Sequence, residues 1–279
     1  MALYRLVIFV SALLLANADV HADPPRRIVS LNLCTDQLLM ALVPAHRIAS
    51  ITWLSRSEGD PSLLPLAQRL AVNHGSAEEV LALRPDLVIA GRFTTGTTRA
   101  LLRKVGVPLL EVDSVSDWEG VRRITREVAA AVDEAAGAEV LLQQMDAELA
   151  LLEHRRPAVP LRAIGWSGAG DDVPGRDTMF NTILESAGGI NLGARAGKGS
   201  FDLEQVLRSR PQVLLRGGAY GSKPALRSEL AQHPVLRAVP GLAIVDYPEA
   251  VFGCGVPHAA HLAIGLAERF GELAAQSQP

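Results

Sequence analysis

The sequence predicts an α/β fold with two lobes, each built on a parallel sheet and joined by one long rigid α-helix. Three observations lead to this prediction. The segment "AEEVLALRPDLVIAG" at residues 77–91 shares its pattern with the segment "LEQVLRSRPQVLLRG" at residues 203–217. Short apolar runs bounded by Pro and Gly are typical of buried parallel strands. A long helical segment separates the two copies.

Each copy of the repeat predicts a helix followed by a strand. Both copies place Glu seven residues before Pro and Arg directly before that Pro. The predicted helix and strand cover 76–83 and 86–90 in the first half, and 203–208 and 212–215 in the second. Matching strands open and close each half, at 27–31 with 162–166 and at 107–112 with 242–246. Helices alternating with such strands predict two Rossmann-like lobes.

The first 22 residues predict a secretory signal peptide. Arg5 precedes the apolar run 6–16, and the small residue Ala22 ends the segment, which indicates cleavage after Ala22. A transmembrane anchor needs about 20 apolar residues, and polar residues from Asn17 onward interrupt the run too early. We therefore expect a soluble mature protein exported to the periplasm.

The segment between the halves predicts a stiff connecting helix. Asp117 is the expected N-cap and Gly137 the expected break or kink. An apolar stripe follows at Val140, Leu141, Met145, Leu149 and Leu152. The predicted domains are the signal 1–22, the N-terminal lobe 23–132, the inter-lobe helix 133–157 and the C-terminal lobe 158–279. A helix in this place is expected to limit hinge closure between the lobes.

Glu78 and Glu204 occupy the same place in the two copies, at the start of each helix. A helix that precedes a parallel strand runs antiparallel to it, so its first residues lie at the carboxyl end of the strand. Open α/β sheets bind ligands at that end. Helix capping explains each Glu singly, whereas the matched pair suggests two contacts with a partner that has two basic sockets.

The sequence resembles the helical-backbone class of periplasmic substrate-binding proteins, which bind cobalamin, ferric siderophores or haem for ABC importers. The resemblance is carried by "RRIVSLNLCTDQLLMAL", "SAEEVLALRPDLVIAG", "TMFNTILESAGGINL" and "SFDLEQVLRSRPQVLL". With the connecting helix, these segments cover nearly the whole mature chain. The resemblance implies that Glu78 and Glu204 dock onto arginines of the membrane permease dimer.

Aromatic residues follow several predicted strands, whereas the predicted core consists mainly of Leu, Val, Ile and Ala. We expect them to line a cleft for a flat, partly apolar ligand; plugging of the lobe surfaces is the alternative. The residues are Trp53, Phe93, Trp166, Phe201, Tyr220 and Phe252. Arg92 is expected to bond anionic ligand groups or to be a solvated loop residue. Asn32 is expected to donate to a ligand carbonyl or amide.

Two cysteines, Cys34 and Cys254, follow strands of opposite halves and are expected to face the cleft. Three interpretations stay open: inert small residues, a soft-metal pair with His258 or His74, and a disulfide that braces the lobes. A disulfide requires Cα atoms within about 7 Å. His258 and His261 share one face near a helix start, and a metal site needs a third ligand.

Composition and motifs point away from catalysis and from nucleic acid. The formal net charge of −3 for 279 residues gives no reason to expect nucleic-acid binding. The sequence has no G-x-S-x-G, H-E-x-x-H or P-loop motif, so we expect neither an enzyme nor a cofactor. We expect a monomer that binds a metal chelate, a ferric siderophore first and a corrinoid second. The alternative is direct capture of a free transition-metal ion through Cys34, Cys254 and His258.

Overall fold

The computed structural model of the protein describes residues 23–167, 172–195, 199–200, 203–217 and 233–276. The expectations for the segment 1–22, for Phe201 and for Tyr220 lie outside the described residues. Within the described ranges, no helix is both long and apolar enough to cross a membrane.

A five-stranded parallel sheet forms the centre of the N-terminal lobe. Its strands are β1 (Ile28–Ser30), β2 (Ile48–Thr52), β3 (Val72–Asn73), β4 (Leu87–Gly91) and β5 (Leu109–Val112), in the order β3-β2-β1-β4-β5. Ile28 and Ile89 pack into one apolar cluster, and Val29 and Val88 pack into another. Because successive strand residues point to opposite faces, both faces of the sheet are buried. This burial explains why the strands read as continuous apolar runs.

Helices cover this sheet, and two of them begin at side-chain caps near its carboxyl edge. The helices are α1 (Leu33–Leu42), α2 (Leu64–Ala67), α3 (Ala77–Ala82) and α4 (Gly96–Lys104). Asn32 caps α1 by accepting a hydrogen bond from Cys34 N at 2.9 Å, and Ser76 caps α3 by accepting from Glu79 N at 3.2 Å. Such side-chain oxygens satisfy backbone donors that lack a partner within the helix. The caps therefore fix where α1 and α3 start.

The C-terminal lobe repeats this architecture with a four-stranded parallel sheet. Its strands are β6 (Leu161–Trp166), β8 (Gly189–Asn191), β10 (Val213–Gly217) and β11 (Ala243–Tyr247), in the order β11-β10-β6-β8. A two-stranded antiparallel ribbon joins β7 (Asp172–Val173) to β9 (Gly199–Ser200). The helices are α7 (Met179–Ser186), α8 (Leu203–Ser209), α9 (Pro234–Arg237), α10 (Glu249–Cys254) and α11 (Ala259–Gln276).

Four strands of the two sheets correspond in order, β5-β4-β1-β2 with β11-β10-β6-β8, and β3 has no counterpart among the described strands of the C-terminal lobe. β1 and β6 lie in equivalent interior places, β4 and β10 pair beside them, and β5 and β11 follow at one edge. The helix of each repeat copy, α3 or α8, directly precedes β4 or β10, as the sequence predicts. The predicted α/β fold with two parallel-sheet lobes is confirmed.

Two long helices connect the lobes, α5 (Trp118–Val132) and α6 (Ala135–Arg155). The N-cap prediction is confirmed, since the Asp117 side chain accepts a hydrogen bond from Gly120 N at 2.6 Å. The predicted break at Gly137 is wrong, because Gly137 lies inside α6. The helical run is interrupted instead at Asp133, whose backbone is left-handed with φ 59°. Asp tolerates this conformation better than most residues.

Arg47 holds the junction between α5 and α6. Its guanidinium donates to Val132 O at 2.5 Å and pairs with Glu134 Oε1 at 2.7 Å. Its Nε also donates to Pro25 O at 2.8 Å. The side chain is buried, and a buried Arg requires such partners. The interruption at the junction is thus bonded to the N-terminal lobe.

The apolar face of α6 differs by one position from the predicted stripe. Val140 is 65% exposed, while Leu142, Met145 and Leu152 are buried. The helix contacts α5 on one side and α11 on the other, so its buried surface is broader than one stripe. At 1.5 Å per residue, its 21 residues span about 30 Å.

Candidate functional site

A cavity of about 320 Å³ lies between the lobes, at the carboxyl ends of strands from both sheets. The N-terminal lobe contributes Phe93, which follows β4, and Ser114 and Val115, which follow β5. The C-terminal lobe contributes residues around β7, α7, β11 and α10. This edge is where open α/β sheets bind ligands. The cavity is therefore the first candidate for a ligand site.

Aromatic rings form one wall of this cavity. The rings of Phe180, Tyr247 and Phe252 lie with centroids 5.0 to 6.2 Å apart and tilted planes. All three side chains are buried in the C-terminal lobe, whereas Phe93 on the opposite side is 81% exposed. Tilted aromatic clusters pack rigidly and present apolar surface. A fixed aromatic wall facing one free ring suits a flat, apolar ligand.

Acidic side chains from both lobes lie at this cavity or beside it. Asp177 and Glu249 line it, and Ser167 Oγ donates a hydrogen bond to Glu249 Oε1. Burial, and then the like charge of Glu249, raise the pKa of Glu58 across the lobe boundary. The described lining contains no Lys or Arg. As far as it is described, the lining favours ligands that supply hydrogen-bond donors or positive charge.

A smaller cavity of about 70 Å³ lies between α1, the ends of β4 and β5, and α10, and several predicted site residues line it. Asn32, Cys34, Arg92 and Phe93 all line it. The Asn32 amide oxygen is engaged in capping α1. A Cβ on Gly91 would lie 2.6 Å from Asn32 Cγ, so Gly is required where β4 passes this cap. Arg92 lines the rim of this smaller cavity, and its side chain is exposed.

The two cysteines form a disulfide between the lobes. Cys34 in α1 is bonded to Cys254 in α10, with Cα atoms 4.9 Å apart. Of the three interpretations left open by the sequence, the structure shows the disulfide that braces the lobes. The sulfurs are oxidised, so they are neither inert thiols nor thiolate ligands for a metal ion in this state.

The histidines near Cys254 pair with carboxylates of other elements. His258 Nε2 lies 3.6 Å from Asp60 Oδ2, and His261 Nδ1 lies 3.3 Å from Glu148 Oε1. The two imidazole rings stack with centroids 5.4 Å apart. Among the described residues no cluster of three or more His, Cys, Asp or Glu side chains is placed to hold a metal ion. The structure therefore does not support the free-metal alternative of Cys34, Cys254 and His258.

The remaining predicted aromatics fall in different places. Trp53 follows β2, is 45% exposed and stacks on His74 with ring centroids 6.3 Å apart, but it lines neither of the two cavities described above. Trp166 is only 2% exposed and packs in the core of the C-terminal lobe. The prediction that Trp166 faces the cleft is therefore wrong. It is the last residue of β6, and its side chain packs with Val206 of α8 and Leu236 of α9 on one face of the sheet.

Sequence reasoning missed Phe180, Tyr247 and Glu249 as cavity residues. Tyr247 ends β11 and Glu249 starts α10, so the rule that strand ends line the site would have found both. Phe180 carried no such signal. Gly165 in β6 lies under its ring, where a Cβ would come within 2.4 Å of Phe180 Cζ. That contact exists only in the folded sheet.

Glu78 and Glu204 lie where the repeat predicts them, each the second residue of its helix. Both side chains are exposed, and Glu204 forms an ion pair with Arg208 one turn later at 3.1 Å. Such surface pairs within a helix contribute little to stability. Each helix begins at the carboxyl edge of its own sheet, the edge that faces the cavity.

Comparison with known proteins agrees with this architecture. The model of the periplasmic binding protein family matches residues 28–243. A cobalamin-binding protein of Halobacterium salinarum is 25% identical over 215 residues, which is 72% of this chain. The chain spans only 57% of the length of that relative.

Solved structures show the same fold. The periplasmic haem-binding protein RhuT from Roseiflexus sp. RS-1, in its apo form, superimposes with a TM-score of 0.74 and 26% identity, covering 89% of this chain and 99% of that one. The vitamin B12-binding protein BtuF of Vibrio cholerae gives a TM-score of 0.67 at 18% identity, covering 91% and 99%. These relatives are binding proteins, not enzymes. Since the family model covers most of its length, the chain belongs to the periplasmic binding protein family.

Proposed function

We propose that this protein is the solute-binding component of an ABC importer, which captures a metal chelate between its lobes and delivers it to a membrane permease. The observation that carries the proposal is the inter-lobe cavity, with Phe93 facing the wall of Phe180, Tyr247 and Phe252. A mostly apolar cavity with a few placed polar groups is typical of a small-molecule site. Export by the segment 1–22 would bring the protein to its partner.

Two chelate classes are candidates, a corrinoid and a ferric siderophore. The carboxylates of Asp177 and Glu249 in the described lining favour a ligand rich in amide donors, as a corrinoid is, over an anionic catecholate or hydroxamate complex. The cobalamin-binding relative supports the same order. We therefore place the corrinoid first, which reverses the order that the sequence alone suggested. Arg92 at the rim is the described group that would favour an anionic chelate.

Delivery is proposed to run through Glu78 and Glu204. Both carboxylates are exposed, and each lies in the first turn of its helix at the carboxyl edge of its sheet. Two matched anionic groups, one on each lobe, fit a permease dimer that presents two matched basic sockets. Charges at the rim of an interface guide association and fix its register.

A chelate panel tests the binding part of this proposal. The mature protein is titrated with cyanocobalamin, haemin and a ferric trihydroxamate, followed by calorimetry and by the absorption band of each chelate. Saturable binding of cyanocobalamin, tighter than that of the other two, is the expected result. Tighter binding of the ferric trihydroxamate would contradict the choice of a corrinoid over a ferric siderophore. Binding of none of the three would contradict chelate capture.

A further inference from the structure

In the N-terminal lobe, the end of the repeat is bonded to the start of the first strand. Arg27 Nη2 donates to Leu83 O at 2.6 Å, and its Nε donates to Leu83 O at 3.0 Å and to Arg84 O at 3.2 Å. In return, the Asp86 carboxylate accepts from Arg27 N at 3.0 Å. The carbonyls at the end of a helix lack partners within it. Arg27 therefore caps the C-terminal end of α3, the helix that carries Glu78 in its first turn.

The C-terminal lobe contains the same arrangement at equivalent residues. Arg162 Nη2 donates to Ser209 O at 2.5 Å, and Gln212 Oε1 accepts from Arg162 N at 2.9 Å. Ser209 and Gln212 stand 126 residues after Leu83 and Asp86 (209 − 83 and 212 − 86), which is the offset of Glu204 from Glu78. We call this arrangement, in either lobe, the strand-start clamp. It recurs although Gln212 replaces a carboxylate by an amide.

Each clamped helix ends in a strained arginine. Arg84 and Arg210, the residues directly before the two prolines, have left-handed backbones with φ 46° and 48°. This conformation is rare for bulky residues, and residues before proline prefer extended backbone. Strain of this kind persists only where neighbouring contacts impose it. Its occurrence at the same place in both lobes shows that both helices are stopped in the same way.

The clamp matters because the two helices are short. α3 has 6 residues and α8 has 7, and helices of this length do not hold their shape in isolation. At 1.5 Å per residue, Glu78 is only about 8 Å along the axis from the clamped carbonyl of Leu83. A change in direction at the clamped end therefore reaches the glutamate directly.

We propose that Arg27 and Arg162 are positioning residues for permease docking, each fixing the direction in which its lobe presents Glu78 or Glu204. The inference rests on the proposed docking role of the two glutamates. It explains why the repeat extends past each Glu to the Arg-Pro pair. If Glu78 and Glu204 enter two matched sockets, the two helices that carry them require the same orientation relative to their lobes. The strand-start clamp supplies that orientation in each lobe.

The test compares three double variants of the full mature protein. Arg27→Gln with Arg162→Gln removes both guanidinium clamps, and Arg27→Lys with Arg162→Lys restores one donor at each. Arg26→Gln with Arg156→Gln removes two exposed arginines whose side chains bond no other described residue. Amide hydrogen exchange of residues 77–84 and 203–210 reports the helix ends, and surface plasmon resonance reports binding to the purified permease. Melting temperature checks folding, and cyanocobalamin titration checks the cleft.

We expect faster exchange in both segments of the Gln pair, because each helix end loses its charge-assisted hydrogen bonds. Permease binding should become about ten-fold weaker, which corresponds to about 1.4 kcal/mol. The Lys pair should recover part of the binding, and the Arg26 and Arg156 control should behave as wild type. Cyanocobalamin affinity should not change. Unchanged exchange in the Gln pair would overturn the clamp.

A parallel variant, Glu78→Gln with Glu204→Gln, separates the inference from the proposed function. The Arg-to-Gln pair could show faster exchange but unchanged docking, while the Glu-to-Gln pair docks weakly. That combination would overturn the positioning role alone. Unchanged docking of the Glu-to-Gln pair would overturn the proposed docking surface, and the positioning role with it.

Discussion

Cys34 and Cys254 are joined across the two lobes by a disulfide that links α1 to α10. The Gln37 side chain donates from Nε2 to Cys254 Sγ at 3.5 Å, so the bond is also held by a buried amide. The cross-link joins two residues that lie 220 positions apart in the sequence. It therefore restricts most of the chain when the protein unfolds, and it holds α1 and α10 together when the protein is folded.

Breaking this disulfide should destabilise the protein. Cross-links over long loops remove entropy from the unfolded chain and contribute about 2–5 kcal/mol. We expect a reductant, or the pair Cys34→Ala with Cys254→Ala, to lower the free energy of unfolding in urea by about that amount. In the Ala pair the added reductant should have no further effect. Thiol labelling of the untreated native protein would show that the bond is not formed. Equal stability with and without reductant would contradict the predicted stabilisation.

The buried carboxyl group of Asp36 in α1 should make the free energy of unfolding depend on pH. Its side chain is completely buried, and Oδ2 accepts from Thr52 N at 3.0 Å and from Ser55 Oγ at 2.7 Å. Burial raises the pKa of Asp36 from 3.8 to about 6, although these bonds oppose the shift. Because the folded protein holds this proton more tightly than the unfolded chain, stability from Asp36 is complete below about pH 4. It is lost as the pH rises through 6.

The replacement Asp36→Asn isolates this effect, because an amide oxygen still accepts both bonds and does not ionise. The shift corresponds to at most about 3 kcal/mol. We expect the stability of Asp36→Asn relative to wild type to increase between pH 4.5 and pH 7.5, both values being about 1.5 pH units from the folded pKa. Urea unfolding at several pH values measures the difference. A difference that stays constant over this range would show that Asp36 does not titrate in it.

Phe93 should contribute to ligand affinity without contributing to stability. Its ring is exposed in the cavity and packs little against the fold, so Phe93→Ala should weaken cyanocobalamin binding by about 1–3 kcal/mol and leave the melting temperature unchanged. Val159→Ala is the matched control, since Val159 is also exposed but lies outside the cavity. Equal affinities of the two variants would remove Phe93 from the site.

Much of the fold could be predicted because local patterns carry it. The repeat at 77–91 and 203–217 sets both the helix–strand order and the place of each Glu, and Asp117 is an N-cap of a common kind. Cavity residues were harder to predict. Trp166 and Tyr247 both end strands, yet only Tyr247 lines the cavity, because the face to which a side chain points depends on the register of the whole sheet.

Distances between the lobes could not be predicted at all. The pairing of Cys34 with Cys254 depends on how α10 packs against α1, which no local pattern encodes. The interruption at Asp133 is similar, since Arg47 from another part of the chain bonds the flanking residues. Gly137 has a weaker intrinsic preference for helix than Asp133. It nevertheless lies inside α6, because tertiary packing overrides that preference.

The central claim is that one cleft binds the chelate and two matched glutamates deliver it. Charge reversal by Glu78→Lys with Glu204→Lys should leave cyanocobalamin affinity unchanged, because neither side chain lines a described cavity. Uptake of radiolabelled cyanocobalamin in the native host, with this variant replacing the wild-type protein, is the most direct measurement. We predict that uptake is abolished, and that each single reversal reduces it less. Uptake at the wild-type rate by a double variant that still binds the chelate would contradict the proposed function.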